Sequence, residues 1–205
     1  MDSIIFDLDG TLWDSREQVV EAWNKAIGKS EFPIEKVEKA DLTRTMGLVI
    51  PEIARVLFPQ LTEREQKQLM DACGIEELAL LKEKGAVLYD GLEEVLRALS
   101  NTYKLFIVSN CRDGYIEAFF HSHGLSHYFT DYENPGRTGL PKGENIKLIV
   151  KRNGLQAPLY VGDTIGDQKA AHHAGVRFAY ASYGFGQSDH HDYKLTTFKD
   201  LLQFA

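Results

Sequence analysis

Cysteine is nearly absent: Cys73 and Cys111 are the only two among 205 residues. That is too few for a disulfide framework, and without a Cys-x-x-Cys pair or a Cys/His cluster they offer no zinc site. Long apolar runs are also missing, since no segment approaches the roughly 20 residues that a membrane-spanning helix needs. No basic stretch leading into an apolar one precedes the first strand, so no secretory signal is visible and the cytoplasm is the expected compartment. Positive charge is the minority sign, with 23 Lys and Arg against 30 Asp and Glu and a net charge of −7. No compact run of Lys and Arg interleaved with aromatics occurs either, which argues against a nucleic-acid surface and for a small substrate. Repeats and low-complexity segments are lacking. What remains, 43% hydrophobic and 26% charged, is the composition of one well-buried domain with a sizeable insertion, expected as a monomer or homodimer.

The chain is organised around Ile4-Ile5-Phe6-Asp7-Leu8-Asp9-Gly10-Thr11. Its apolar start suits a strand buried on both faces, as in a parallel sheet, where ligands gather beyond the carboxyl ends of the strands. Asp7 and Asp9 stand at that edge, and because the chain already turns at Gly10 the two carboxylates need not play the same part. Taken alone, Asp-x-Asp is equally a turn, and Gly10-Thr11 directly after it tells against that reading. Partners elsewhere must decide.

Ser15 can cap a helix in which Val19, Val20, Trp23, Ala26 and Ile27 recur at helical spacing, with Gly28 as a stop. Helical patterns follow at about 48 to 58 and about 62 to 84, the latter opened by Thr62 with Glu65 three residues on, a capping box. No comparable strand lies between residues 15 and 85. Residues 16–84 therefore read as an all-helical cap domain inserted into a core made of 1–15 and 85–205, with hinges near 12–16 and 82–90. The core continues with a helix carrying Leu92, Val95, Leu96 and Leu99, the strand Lys104 to Val108, a helix over Asp113 to His123, and a weaker extended piece near Tyr128 to Asp131. Asn134-Pro135-Gly136 marks a loop. A helix from Glu144 to Asn153, a strand at Pro158 to Val161, a helix with Ala170, Ala171 and Ala174, a strand at Phe178 to Ala181 and a last short helix over Phe198 to Phe204 complete the pattern. Strands alternating with helices imply an α/β fold with a parallel sheet flanked by helices.

Three strands end in polar residues that suit a common chemistry, first Asp7 and Asp9, then Ser109-Asn110, then Asp163 with Asp167 four residues on. A carboxylate cluster repels itself, and hard oxygen ligands with room for water suit Mg2+. Ser109, the backbone N–H of Asn110 and a lysine, Lys142, can hold phosphate oxygens while charge redistributes during transfer.

With Asp7-Leu8-Asp9-Gly10-Thr11, Ser109-Asn110, Lys142 and Gly162-Asp163-Thr164-Ile165-Gly166-Asp167 assembled, essentially the whole chain resembles the haloacid dehalogenase superfamily of phosphohydrolases. The helical insertion looks like a C1-type cap, and Tyr183-Gly184-Phe185-Gly186 is similar to the phosphoglycolate phosphatase-like branch. The resemblance implies a Rossmann-like core and an aspartyl-phosphate mechanism, with Asp7 as nucleophile and Asp9 as general acid and base. It implies Mg2+ held by Asp7, the backbone carbonyl of Asp9 and Asp163, with Asp167 directly or through water, and a transferring group positioned by Thr11, Ser109 and Lys142. Asp at position 9 favours phosphate esters, because dehalogenase and phosphonate-cleaving members lack an acid there. Lys142 follows Pro141 rather than preceding a proline, and matches the Lys-x-Glu-x-Ile form instead. The expected activity is Mg2+-dependent hydrolysis of a small phosphorylated metabolite, phosphoglycolate- or sugar-phosphate-like. A phosphomutase of the β-phosphoglucomutase type is the enzymatic alternative, and a regulatory binding protein is opposed by the intact carboxylates.

Arg44, in Arg44-Thr45-Met46-Gly47, interrupts the helical pattern and is the expected cap contact for substrate. Trp13 and Trp23 read as core or hinge packing, and Cys111 as a small buried thiol. His172 and His173, adjacent on a helix, point about 100 degrees apart and do not chelate one ion.

Overall fold

The computed structural model describes residues 1–205. The chain enters through β1 (Ser3–Phe6), buried along its whole length, turns at Gly10 and leaves the core through the two-residue β2 (Trp13–Asp14). Four helices follow, α1 (Arg16–Lys29), α2 (Lys39–Thr45), α3 (Ile50–Leu57) and α4 (Glu63–Lys84). The chain returns through β3 (Val87–Leu88), which lies antiparallel to β2 with Trp13 opposite Leu88 and Asp14 opposite Val87.

The remainder alternates: α5 (Leu92–Ser100), β4 (Lys104–Val108), α6 (Tyr115–His123), β5 (Phe129–Glu133), α7 (Pro135–Thr138), α8 (Lys142–Asn153), β6 (Pro158–Gly162), α9 (Ile165–His173), β7 (Arg177–Ala181) and β8 (Tyr193–Leu195). A 3-10 helix over Phe198–Phe204 closes the chain. Six strands form one parallel sheet in the order β5-β4-β1-β6-β7-β8. This is the α/β sheet flanked by helices that the alternation predicts.

Side chains two apart share a face of a strand, and the core divides accordingly. Ile4 and Phe6 join Leu105, Ile107, Leu159 and Val161 on the side covered by α5 and α6. Ile5 joins Phe106, Tyr160 and Phe178 on the side covered by α8 and α9. Helices α1 to α4 gather a separate apolar cluster around Trp23, Phe58, Leu69 and Met70. The Thr62–Glu65 capping box opens α4, with the Thr62 N–H donating to Glu65 Oε2 at 2.8 Å. No helix is long and apolar enough to cross a membrane.

Several local expectations are corrected. Residues 39–45 form a helix, so Arg44 belongs to its last turn rather than to an interruption. Asn134-Pro135-Gly136 starts the short α7 instead of a loop, because the Asn134 side chain accepts the Arg137 N–H at 3.0 Å and proline is pre-set for a first helical position. Strand β8 is a three-residue edge strand, too short to leave a periodic signal. Ser15 does occupy the N-cap position of α1, but its hydroxyl makes no capping bond.

Candidate active site

Neighbouring strands β4, β1 and β6 end at one edge of the sheet, and this adjacency brings the acidic and hydroxyl residues together. The β1 ladder runs one residue further, the Asp7 N–H donating to Val161 O at 2.8 Å, which fixes the Asp7 backbone beside the end of β6. Asp7, Asp163 and Asp167 are all buried, and each offers an oxygen within 4.8 Å of the others.

One cation lies among them. Lys142, at the start of α8 and itself buried, donates to Asp7 Oδ1 at 2.9 Å and to Asp167 Oδ1 at 2.6 Å. Asp167 is otherwise saturated: Oδ2 accepts from the Thr164 hydroxyl at 2.6 Å and from the backbone N–H groups of Thr164 and Asp163. Thr164 in turn accepts the Asp167 N–H, so the two form the capping box of α9. Burial works against the Asp167 charge, but Lys142 and the Thr164 bonds outweigh it and hold this carboxyl below its ordinary value. Burial also works against the Lys142 charge, and the two carboxylates reverse that and raise its pKa.

Asp7 is pushed up to about 7, chiefly by burial and then by the Asp167 charge, with Lys142 and Ser109 pulling the other way. Asp163 is raised well above its ordinary value by burial and by Asp167 and Asp7. Its Oδ2 accepts the Phe185 N–H at 2.7 Å, whereas its Oδ1 is buried without a partner. An orphaned, buried carboxylate oxygen beside two further carboxylates is the arrangement that a hard divalent cation satisfies. The donor set therefore fits Mg2+, an all-oxygen site being unsuited to softer metals.

Two glycines clasp Asp163. A Cβ on Gly10, whose φ is +80°, would lie 2.2 Å from Asp163 Oδ2, and one on Gly184 would lie 2.3 Å from Asp163 Cβ and 2.4 Å from Gly10 O. Hence the Tyr183-Gly184-Phe185-Gly186 segment is glycine-rich because its backbone rides directly on the acidic cluster.

Asp9 is turned away from that cluster. Its Oδ1 accepts from Trp13 Nε1 at 2.8 Å, Ser15 Oγ at 2.5 Å and Tyr115 OH at 3.0 Å. Burial raises its pKa to about 6 against the pull of Ser15, Tyr115 and Trp13.

Asp7, Asp9, Ser109, Asn110 and Lys142 line a cavity of about 60 Å3 roofed by Val19, Trp23, Leu42, Met46, Ile50 and Ile53 from the helical insertion. The roof is closed onto the core. Asn110 Nδ2 donates to Gly47 O at 2.8 Å, and a Cβ on Gly47 would touch Thr164 at 3.2 Å. Arg16 donates to Thr43 Oγ1 at 2.8 Å while its guanidinium carbon sits 4.0 Å over the Phe185 ring. In the cavity wall, Arg112 Nε donates to Glu77 Oε2 at 3.2 Å, and burial raises the Glu77 pKa despite this cation.

Not every sequence-predicted residue arrives. Arg44 is a correction: it pairs with Asp41 at 2.8 Å, its side chain is 58% exposed, and it does not line the cavity. An arginine in the last turn of α2 points outward because the same turn buries Leu42 and Thr45. Thr11 is buried off the cavity wall with its hydroxyl unpartnered. His172, His173, His190 and His191 are exposed, and His173 pairs with Glu144. Cys111 lines the cavity, and burial with the nearby Asp9 and Asp7 keeps it a thiol. Sequence reasoning missed Tyr115, Glu77, Arg112 and Gly47. Only the capping-box spacing of Thr164 and Asp167 carried a readable signal of its own kind.

A family model described as haloacid dehalogenase-like hydrolase matches residues 4–181. A phosphoglycolate phosphatase of Synechococcus elongatus is 32% identical, over 99% of this chain and 96% of the relative. Among solved structures, a haloacid dehalogenase-like hydrolase from Streptococcus pneumoniae superimposes with a TM-score of 0.86 at 19% identity, covering 100% of this chain and 98% of that one. A predicted phosphoglycolate phosphatase from Haemophilus somnus gives 0.86 at 23% identity, covering 100% and 97%. At those identities the two structures speak to the fold alone.

Proposed function

The chain belongs to the haloacid dehalogenase-like hydrolase family, and from that premise we propose that it is a Mg2+-dependent phosphatase of a small phosphorylated metabolite, phosphoglycolate- or sugar-phosphate-like, working through a phosphoryl group carried on Asp7. The observation that carries the reading is the pairing of two unlike carboxylates on one cavity. Asp7 is held by Lys142 beside Asp163 and Asp167, while Asp9 is held apart from them by neutral donors.

A carboxylate oxygen of Asp7 attacks phosphorus as the bond to the ester oxygen breaks, and Asp9 gives its proton to the departing alkoxide. Water then attacks the phosphoryl group on Asp7, Asp9 takes the proton released, and the bond to Asp7 breaks to give inorganic phosphate. A pKa of about 6 for Asp9 suits both duties near neutrality. Ser109, the Asn110 N–H and Lys142 would steady the phosphoryl oxygens. Asp7, Asp163 and the Asp9 carbonyl would hold Mg2+, with Asp167 directly or through water, and the bound cation supplies charge neutralisation for carboxylates and phosphoryl oxygens. The apolar roof would exclude water during transfer.

The test is phosphate release with Mg2+ from phosphoglycolate, sugar phosphates, nucleotides and pyrophosphate. Release above background from at least one of the first two classes, silenced by excess chelator, is expected. No release from any of them would remove the reading, and turnover of a sugar phosphate that yields little free phosphate and needs a bisphosphate activator would turn it into a mutase.

The raised carboxyls also make a stability prediction. Asp7 and Asp9 go from an ordinary 3.8 to about 7 and about 6, so between pH 4 and 7 the folded protein binds more protons than the unfolded chain. Stability of the metal-free protein is then full below about pH 4 and declines as pH rises through the folded values. The melting temperature in chelator should drop by roughly 5 °C or more between pH 5 and 8. Mg2+ should raise it more at pH 8, where its ligands are deprotonated, than at pH 5. An equal Mg2+ effect at both values would contradict the assignment of the cluster.

A further inference from the structure

We infer that Trp13, Ser15 and Tyr115 are positioning residues that orient Asp9 for proton transfer, and that two of them do so from the linker carrying the cap. The inference rests on the acid and base role proposed above for Asp9.

All three donors converge on one oxygen. Asp9 Oδ1 accepts from Trp13 Nε1 at 2.8 Å, Ser15 Oγ at 2.5 Å and Tyr115 OH at 3.0 Å, while no protein group donates to Oδ2. A carboxylate held through one oxygen has its plane fixed and its other oxygen free, and Asp9 lines the cavity. The free oxygen is the one available to a leaving group.

The donors are buried and have little else to do. Trp13 and Ser15 are fully buried and Tyr115 is 4% exposed. The indole has a single proton and gives it to Asp9. Ser15 sits where its hydroxyl would ordinarily cap α1, an interaction worth about 1 kcal/mol, yet it makes no capping bond and is spent on Asp9 instead. Tyr115 OH also lies 2.9 Å from Ser15 Oγ, and since each hydroxyl has one proton, that approach is an alternative to the Tyr115 bond to Asp9 and not an addition to it.

The placement of the donors gives the arrangement its second property. Trp13 belongs to β2 and Ser15 joins β2 to α1, so both lie on the segment that leads into the helical insertion, with the Trp13 ring itself packed in the core against Tyr115 and Phe119. Tyr115 opens α6 on the core side, and its ring meets the Trp13 ring edge-on at 5.7 Å. Asp9 therefore takes its orientation from the linker and the core together.

A merely structural role would lower stability and slow all substrates alike. Positioning of an acid slows only those substrates whose leaving group needs a proton. The experiment compares kcat/KM for an alkyl phosphate, phosphoglycolate or glucose 6-phosphate, with kcat/KM for p-nitrophenyl phosphate, whose phenolate departs unprotonated. Ser15→Ala and Tyr115→Phe each delete one oxygen and are checked by thermal melting, because changing Trp13 removes a large core side chain. Asp9→Asn sets the scale.

The alkyl-to-aryl ratio should fall about tenfold or more in each single variant, since a misplacement of about 1 Å costs up to roughly 100-fold, and the double variant should approach Asp9→Asn. A ratio within about threefold of wild type in both folded variants would overturn the inference, whatever happens to the absolute rates. Should Asp9→Asn itself leave the ratio unchanged, the acid assignment fails and the positioning role goes with it.

Discussion

Asp7→Asn should cut phosphate release by roughly 10^4-fold or more, the scale on which loss of a covalent nucleophile is felt, and leave the fold standing. The side chain keeps its size, and its remaining oxygen can still accept from Lys142, which stays anchored by Asp167 at 2.6 Å. What the amide cannot do is attack phosphorus. The substitution also removes a negative charge from a buried cluster of three carboxylates, so the metal-free variant should melt no lower than wild type. Phosphate release and a thermal melt in chelator check both halves. Turnover within tenfold of wild type would dismiss Asp7 as nucleophile, and a collapse in melting temperature would show that its charge is needed for folding.

Lys142→Met should be the most destabilising single change at the site. The ammonium lies between Asp7 and Asp167 with its side chain 5% exposed and theirs 4% and 0%. Buried pairs contribute little net stability, but removing one partner strands the other, at a cost of about 3–5 kcal/mol. Here Asp7 loses its paired cation, while Asp167 keeps the Thr164 and backbone donors to its Oδ2. In chelator the melting temperature should fall by on the order of 10 °C. The deficit should widen from pH 5 to pH 8, because low pH lets the stranded Asp7 carboxyl take up a proton. Turnover should fall by about 10^2- to 10^3-fold, as when one preorganised electrostatic contact to the reacting group is lost. A melting temperature within 2 °C of wild type at both values of pH would show, roughly, that the pair carries no weight.

Much of this arrangement was legible in the order of the elements. Apolar runs that stop abruptly at Asp7, Ser109 and Gly162-Asp163 announce strands with chemistry at their carboxyl ends, and alternation with helices places those ends on one edge. Sequence periodicity does not encode which strands are neighbours. Nor does it bring Tyr115 to Asp9 across 106 positions, or Arg112 to Glu77 across 35. Such pairs are products of tertiary packing. Arg44 shows the converse error: a charge at an apparent break in a helix suggests a ligand contact, but the helix continues through Thr45. It is the neighbouring Gly47 that meets the core, through a carbonyl and a bare Cα that no side-chain argument could single out.

The pairing of β2 with β3 has a wider consequence. With Trp13 opposite Leu88 and Asp14 opposite Val87, the chain leaves the sheet and rejoins it through a single neck whose two strands stand about 5 Å apart. A tight turn could bridge that gap, so the strand order of the core does not depend on what hangs beyond it. Residues 16–84 are in this sense a cassette, which can lengthen, shrink or be exchanged while the bond-breaking apparatus stays where it is. The apolar roof of the cavity and the carboxylate cluster are thereby carried on separable lengths of chain, and the Asp9 network lies at the neck that joins them.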